Sequence, residues 1–180
     1  LNNRANPIDA LKQLNITPLS ISYEYDPCDF LKAKEFQLKR DNADYKKSQA
    51  DDIENMYTGM VEFKGRVNFK LCNPINTQLI DISPEVGRGE ILQTVADIID
   101  KEIYLNYTFY PINYVAYDLM TKSNSFNTQY SDEDKSKFEQ YLNTQIAKIN
   151  IPNKDTDFLK MKIIEMYGNT VKSYLNVKNR

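Results

Sequence analysis

Histidine and tryptophan are absent from this 180-residue chain, and it has only five glycines and two cysteines. Histidine is the usual general base near neutral pH and the commonest metal ligand. Its absence excludes a Ser-His-Asp triad, a Cys-His dyad and a histidine-bearing zinc site from this chain. A catalyst built from these residues alone would have to use carboxylates, lysine or tyrosine.

The two cysteines, Cys28 and Cys72, have the spacing of neither a metal site nor a disulfide framework. We therefore expect reduced thiols and a cytoplasmic protein. No apolar run approaches the roughly 20 residues that a membrane-spanning helix needs, and no stretch resembles a secretory signal. The net charge of −2 supplies no broad positive field, so we expect no nucleic-acid partner.

Helix signals are frequent in the residues that are present. Hydrophobic residues make up 41% of the chain, which is enough to form a core. Ser48 with Asp51 and Ser131 with Asp134 form two capping-box patterns, each followed by apolar residues at helical spacing. Further helix starts are predicted at Pro7 with Asn6 as N-cap, at Asp29, at Ser83-Pro84, at Pro111 and at Asp155 or Thr156.

Two segments read as strands. Residues 16–22 have the composition of a buried strand, and residues 66–73, "RVNFKLCN", alternate as a half-buried strand does. An isolated strand pair is marginally stable. The sequence therefore predicts a helix-rich α/β fold whose small sheet of two or three strands belongs to a larger sheet or is completed by another copy. We expect an α/β part over residues 1–82 and a helical extension over residues 83–180.

The stretch "NITPLSISYEYDPCDF", residues 15–30, runs from the first strand directly into a polar, aromatic turn. Open α/β sheets tend to place ligand sites at the carboxyl ends of strands. The alternative is an ordinary turn at Asp26-Pro27 with Asp29 as the N-cap of the next helix. Pro18 lacks a backbone donor, which indicates either a strand edge or bulge or a residue that shapes a site.

The segment "NITPLSIS" resembles the fourth conserved block of the glycerolipid acyltransferases, the family of lysophosphatidic acid acyltransferase. The later "GRVNFKLCNPI", residues 65–75, is similar to the strand and Pro-Ile turn that follow this block. The segment between them looks like a longer bacterial branch of the family. The resemblance covers roughly residues 5–80.

This resemblance implies transfer of an acyl chain from an acyl-thioester to a lysophospholipid or a related hydroxyl acceptor, without a metal or other cofactor. Pro18, Tyr23, Glu24, Tyr25 and Asp26 would bind the acceptor. The family's His-x4-Asp motif, its Glu-Gly block and its arginine block are missing from this chain. The resemblance therefore implies a carboxy-terminal portion with no catalytic residue of its own, inactive alone, that contacts the inner face of a membrane where its lipid substrates reside. A first residue of Leu1 in place of methionine agrees with a fragment or a trimmed product.

Several alternatives stay open at this stage. Glu24 and Asp26 point the same way on a strand and could form a glycosidase-like acid–base pair, and Cys28 could act as a nucleophile with a lysine partner. The lysine-bearing residues 32–47 fit an anionic bilayer surface or a solvated helix face. The aromatic residues 104–117 fit an interface or a core. In another class of function altogether, the chain would be a non-catalytic α-rich interaction module. Its oligomeric state cannot be read from the sequence.

Overall fold

The computed structural model describes residues 7–83 and 85–179. The described residues form a helix-rich structure with one small antiparallel sheet, as the sequence predicts. The helices are α1 (Pro7–Leu14), α2 (Asp29–Asp41), α3 (Gln49–Val61), α4 (Arg88–Leu105), α5 (Pro111–Thr121), α6 (Asp132–Lys148) and α7 (Thr156–Lys178). The strands are β1 (Leu19–Tyr23) and β2 (Val67–Leu71), and a short 3-10 helix spans Gln78–Asp81.

The predicted helix starts are largely confirmed. Ser48 and Ser131 each cap a helix through the complete capping box, and Pro111 occupies the first turn of α5. The start of α2 at Asp29 is confirmed, although Cys28, and not Asp29, is the N-cap of that helix. One start is wrong: α4 begins at Arg88 after Gly87 rather than near residue 83. The predicted roles of Asn6 and Pro84 lie outside the described residues.

Two backbone hydrogen bonds fix the register of the sheet. Cys72 N donates to Pro18 O at 2.9 Å, and Glu24 N donates to Arg66 O at 2.9 Å. Antiparallel pairing between these bonds sets three apolar residues of β1 opposite three apolar residues of β2, all on one face of the sheet. The cross-strand pairs are Leu19 with Leu71, Ile21 with Phe69, and Tyr23 with Val67.

The predicted burial of both strands is wrong. In β1 the buried side chains are Ser20 and Ser22, whereas Leu19, Ile21 and Tyr23 are exposed. All five residues of β2 are exposed. The two serines face inward because their small hydroxyl groups bond nearby backbone: Ser20 Oγ donates to Ile103 O at 3.1 Å, and Thr108 N donates to Ser22 Oγ at 2.9 Å.

The described residues divide into two compact units, and the division passes through both strands. The first unit takes in residues up to 22, residues 68–108 and the end of α7. Its core joins α1, the 3-10 helix and α4, and the buried residues are Ile8, Ile75, Leu79, Ile82, Ile91 and Val95. The apolar periodicity of α4 thus places Ile91 and Val95 in a core, as helical spacing predicts.

The second unit comprises residues 23–67 and 109–173 and holds the larger core. Its centre is the packing of α5, α6 and α7, and its buried residues include Val115, Phe138, Leu142, Leu159, Ile163 and Tyr167. Gly168 allows α7 to pack closely against α5, because a Cβ there would lie 3.2 Å from the Ala116 backbone. Helices α6 and α7 of this core contact the turn that follows β1.

Candidate functional site

The segment that follows β1, residues 23–29, contains four of the five residues predicted to bind an acceptor, and each has a different environment. Tyr23 ends β1 on the exposed apolar face of the sheet, with a side chain that is 37% exposed. Glu24, Tyr25 and Asp26 are half-buried and turn the chain toward α2. Tyr23 is therefore the one of these four that stands on the open face of the sheet.

Glu24 is bound by Arg66 through three hydrogen bonds. Arg66 donates to Glu24 Oε2 from its backbone N at 2.9 Å and from Nε at 3.1 Å, and Nη2 donates to Oε1 at 2.9 Å. The hydrogen bonds from the Arg66 side chain hold the pKa of Glu24 below its ordinary value. Arg66 also lies over the ring of Tyr110 at 4.8 Å. This arrangement favours the ionised form of Glu24 and engages both oxygens of its carboxylate.

Gly65 makes room for this ion pair. Its φ of +63° is a left-handed conformation that side chains rarely adopt, and a Cβ at this position would lie 2.7 Å from Glu24 Oε2. A glycine is therefore required both by the backbone and by the close approach of the carboxylate. Gly65 lies beyond the end of α3, whose C-cap is Glu62.

Tyr25 packs into an aromatic group. Its ring centroid lies 4.5 Å from that of Tyr141 and 5.7 Å from that of Phe63. Burial raises the pKa of the Tyr25 phenol, so the group stays neutral at physiological pH. Its backbone N donates to Lys64 O at 3.0 Å, which continues the pairing of the two chain segments beyond the strands.

Asp26 lies three residues before the first residue of α2 and forms the turn that leads into this helix. Its Oδ1 accepts from Cys28 N at 2.9 Å, and its Oδ2 is paired with Lys32. Its backbone N donates to Tyr167 Oη at 2.9 Å. Asp26 thus closes the turn in the way that an Asx turn does, which agrees with the reading of Asp26-Pro27 as a turn.

Asp29 is the most deeply buried carboxylate of the segment. Its Oδ2 accepts from Tyr141 Oη at 2.6 Å and from Tyr167 Oη at 2.8 Å, and its Oδ1 accepts from Gln145 Nε2 at 2.9 Å. Burial raises the pKa of Asp29 to about 6, although the two tyrosine hydrogen bonds oppose the shift. These hydrogen bonds link the start of α2 to α6 and α7.

Pro18 lies just before β1 and is buried. Its carbonyl accepts from Cys72 N, and since proline has no N–H, the reciprocal bond of that pair is missing. Pro18 therefore ends the ladder.

Each carboxylate of the turn is already engaged within the fold. Glu24 and Asp26 bind different cations, Arg66 and Lys32, which does not fit a matched acid–base pair. Burial raises the pKa of the Cys28 thiol, and the thiol lies 3.4 Å from Asn55 O, an environment that does not favour a nucleophilic thiolate. Among the described residues, no group of three or more carboxylates and thiols is placed to hold a metal ion.

The lysine-bearing segment and the aromatic run have ordinary environments. The cations of residues 32–47 are largely paired with nearby carboxylates, in the pairs Lys32–Asp26, Lys34–Asp51, Lys39–Glu35, Arg40–Asp155 and Lys47–Asp52. This pairing favours a solvated face over a bilayer surface. Within the aromatic run, Tyr110 is buried, and Tyr114 and Tyr117 pack against Phe126, as core residues do.

Sequence reasoning missed the partners of this segment. The partners lie 42 to 141 residues from the groups that they bind; they are Arg66, Tyr141, Gln145 and Tyr167. The sequence indicated one feature of these partners. Tyr141 and Gln145 are four residues apart on α6, so they were predictable as neighbours on one helix face.

Comparisons with family models, with curated proteins and with solved structures find no match. Both cysteines are free, as expected. Within the part of the chain that the structure describes, no helix has the length and apolar content to cross a bilayer.

Proposed function

We propose that this chain is the carboxy-terminal portion of a bacterial acyltransferase, which transfers an acyl chain from an acyl-thioester to a lysophospholipid or a related hydroxyl acceptor. The resemblance over roughly residues 5–80 supports the family. The unfinished sheet supports the view that the chain is a portion of a larger enzyme. In that enzyme, access to the lipid acceptor requires peripheral contact with the inner face of a membrane.

The observation that carries the proposal is the exposed apolar face of the sheet. Its six side chains, in three cross-strand pairs, are 37% to 70% exposed. A two-stranded sheet is marginal in water, and an apolar face of this kind marks a surface that packs against something else. The outer edges of β1 and β2 also have no strand partner among residues 7–83 and 85–179. These features favour additional strands and cover supplied by the rest of an α/β enzyme.

The proposal divides the predicted acceptor residues into two roles. Tyr23 lies on the open face and would contact the acceptor, whereas Glu24, Tyr25 and Asp26 hold the turn through Arg66, Tyr141 and Lys32. Pro18 ends the ladder beside them. The base that takes the proton of the acceptor hydroxyl would come from a His-x4-Asp motif elsewhere in the enzyme, since this chain has no histidine.

Extending the reading frame upstream of Leu1 tests this function. We expect a His-x4-Asp motif there, and we expect the longer protein to release thiol from an acyl-thioester in the presence of lysophosphatidic acid. Replacing the motif histidine with alanine should abolish release, and the present chain alone should give none. Turnover by the present chain above the uncatalysed rate would contradict the proposal.

One observation favours the alternative of a non-catalytic α-rich interaction module: both carboxylates of the turn are already bound by cations of the same fold. A longer protein that lacks the motif and shows no thiol release would contradict the acyltransferase proposal and favour this alternative.

A further inference from the structure

Helix α3 presents its apolar stripe to solvent. Five apolar residues recur along it at helical spacing and are 56% to 70% exposed: Ile53, Met56, Tyr57, Met60 and Val61. Phe63, just beyond the helix, is 73% exposed. An amphipathic helix normally turns such a stripe toward a core. In α3 the apolar stripe faces solvent instead.

The opposite side of α3 holds the helix in place through polar and small groups. Thr58 is buried, and Asn55 O lies 3.4 Å from the Cys28 thiol at the start of α2. Asp51 closes the capping box with Ser48. The polar side of α3 contacts the rest of the fold, so the apolar stripe faces solvent and is available to bind another surface.

The exposed stripe has the size of a binding surface. A large side chain offers roughly 150–200 Å², so these six residues present on the order of 600 Å² together. That is the upper end of the largest apolar patch on typical monomeric proteins. It also approaches the roughly 800 Å² that one partner contributes to a standard protein–protein interface.

Acidic residues border the stripe. At about 100° of rotation per residue, Asp52 and Glu54 fall on opposite sides of it, and Glu62 lies at its carboxyl end. All three are exposed. Three lysines lie near these carboxylates. Lys47 pairs with Asp52 at 2.8 Å, Lys148 pairs with Glu62 at 3.7 Å, and Lys64 Nζ donates to Glu62 O at 3.0 Å. Exposed pairs of this kind are weak and readily exchanged, and Glu54 forms no ion pair among the described residues.

We propose that α3 binds an amphipathic helix of a partner protein, whose apolar face is bordered by lysine or arginine. The apolar residues of α3 match the i, i+3, i+4, i+7 pattern of helix-on-helix recognition. The basic borders of the partner would meet Asp52, Glu54 and Glu62. The sheet calls for a different partner, since among the described residues no strand pairs with its outer edges and such an edge can accept a strand.

The acidic borders disfavour the two simplest other occupants. In a symmetric pair of α3 helices, Asp52 of one copy falls near Glu62 of the other, and like charges repel. An anionic bilayer attracts helices whose polar face carries lysine or arginine, whereas α3 carries carboxylates there.

Two synthetic helical peptides with identical leucine faces test the proposal, one with lysine borders and one with glutamate borders. We expect fluorescence anisotropy to show that the lysine peptide binds at least about tenfold more tightly than the glutamate peptide. Salt should weaken this binding. Equal affinity for both peptides, or no binding of either, would overturn the proposal.

Three variants locate the binding. Met60→Glu should weaken lysine-peptide binding about tenfold or more, whereas the matched control Leu92→Glu, at a residue of α4 that is 56% exposed, should leave it unchanged. A variant with Asp52→Lys and Glu54→Lys should prefer the glutamate peptide. Unchanged thermal melting would show that these exposed substitutions leave the fold intact.

Other occupants give distinct results, and each would overturn the proposal. A dimer in light scattering that Met60→Glu dissociates would indicate a second copy. Sedimentation with phosphatidylglycerol vesicles that Met60→Glu prevents would indicate a bilayer. If Met56 and Met60 resist oxidation in the longer protein when no partner is present, the occupant is the same polypeptide, and the acyl-transfer proposal would still stand.

Discussion

Helices α3 and α6 are built from the same local signals, yet their apolar stripes lie in opposite environments. Each begins with a complete Ser/Asp capping box and continues with apolar residues at helical spacing. In α6, Phe138 and Leu142 are fully buried against α5 and α7, whereas in α3, Met56 and Met60 are 68% and 70% exposed. Helical periodicity therefore predicts that a helix has an apolar face, but it does not predict whether the same fold covers that face.

The largest expected effect separates the two stripes. Phe138→Ala in α6 should destabilise the protein by about 3–5 kcal/mol, because it leaves a cavity in the core. Met56→Ala in α3 should change the free energy of unfolding by only about 0.5 kcal/mol, because the side chain already contacts water. Urea unfolding measures both. Similar losses in the two variants would show that the α3 stripe is covered in the isolated chain.

The next effect concerns the buried carboxylate that joins α2 to α6 and α7. Because burial raises the pKa of Asp29 to about 6, the folded state holds this proton more tightly than the unfolded state does. Its contribution to stability is fully present below about pH 4 and is lost as the pH rises through 6, by about 2–3 kcal/mol in total. The nearby carboxylate of Asp26 favours the same direction.

Unfolding measurements from pH 4 to pH 8 with Asp29→Asn as the matched variant isolate this contribution. The variant should show a flatter profile across pH 4–6 than the parent chain. An identical slope in both proteins would assign the pH dependence to other groups.

A smaller effect is expected at the turn that holds Glu24. Gly65→Ala should cost about 2 kcal/mol, because the left-handed φ disfavours a side chain and the new Cβ would displace the Glu24 carboxylate. Gly89→Ala is the control, since Gly89 lies inside α4 and a Cβ there meets nothing within 4 Å. Equal melting temperatures for the two variants would contradict the requirement for glycine at position 65.

The smallest effect returns to the shared capping boxes. Ser48→Ala and Ser131→Ala should each cost about 1 kcal/mol, because the cap is local chemistry that does not depend on the environment of the stripe. Differential scanning calorimetry of both variants tests this equality. A large loss for Ser131 alone would tie the strength of the cap to core packing.

These contrasts separate what was predictable from what was not. Capping boxes and apolar spacing located α3 and α6, strand-like composition located β1 and alternation located β2, because such signals act within a few residues of the chain. The burial of β1 was not predictable, since it depends on Ser20 and Ser22 approaching the backbone of Ile103 and Thr108. No local pattern shows which distant backbone a serine will meet.

The candidate site divides in the same way. The Asp26-Pro27 turn was foreseen from turn chemistry, and the structure places Asp26 at the start of α2. The Arg66 partner of Glu24 and the tyrosine partners of Asp29 were not foreseen, because helix packing and strand pairing bring them together across long stretches of sequence. The predicted acceptor-binding role of this segment stays a prediction.

The central claim of the proposed function is that the rest of a longer protein would cover the exposed sheet face. Hydroxyl-radical labelling with mass spectrometry, applied to the present chain and to the protein from the extended reading frame, measures this cover directly. We predict that Phe69 and Leu71, which are 62% and 70% exposed in this chain, are labelled several-fold less in the longer protein. Equal labelling of Phe69 and Leu71 in the two proteins would contradict the account.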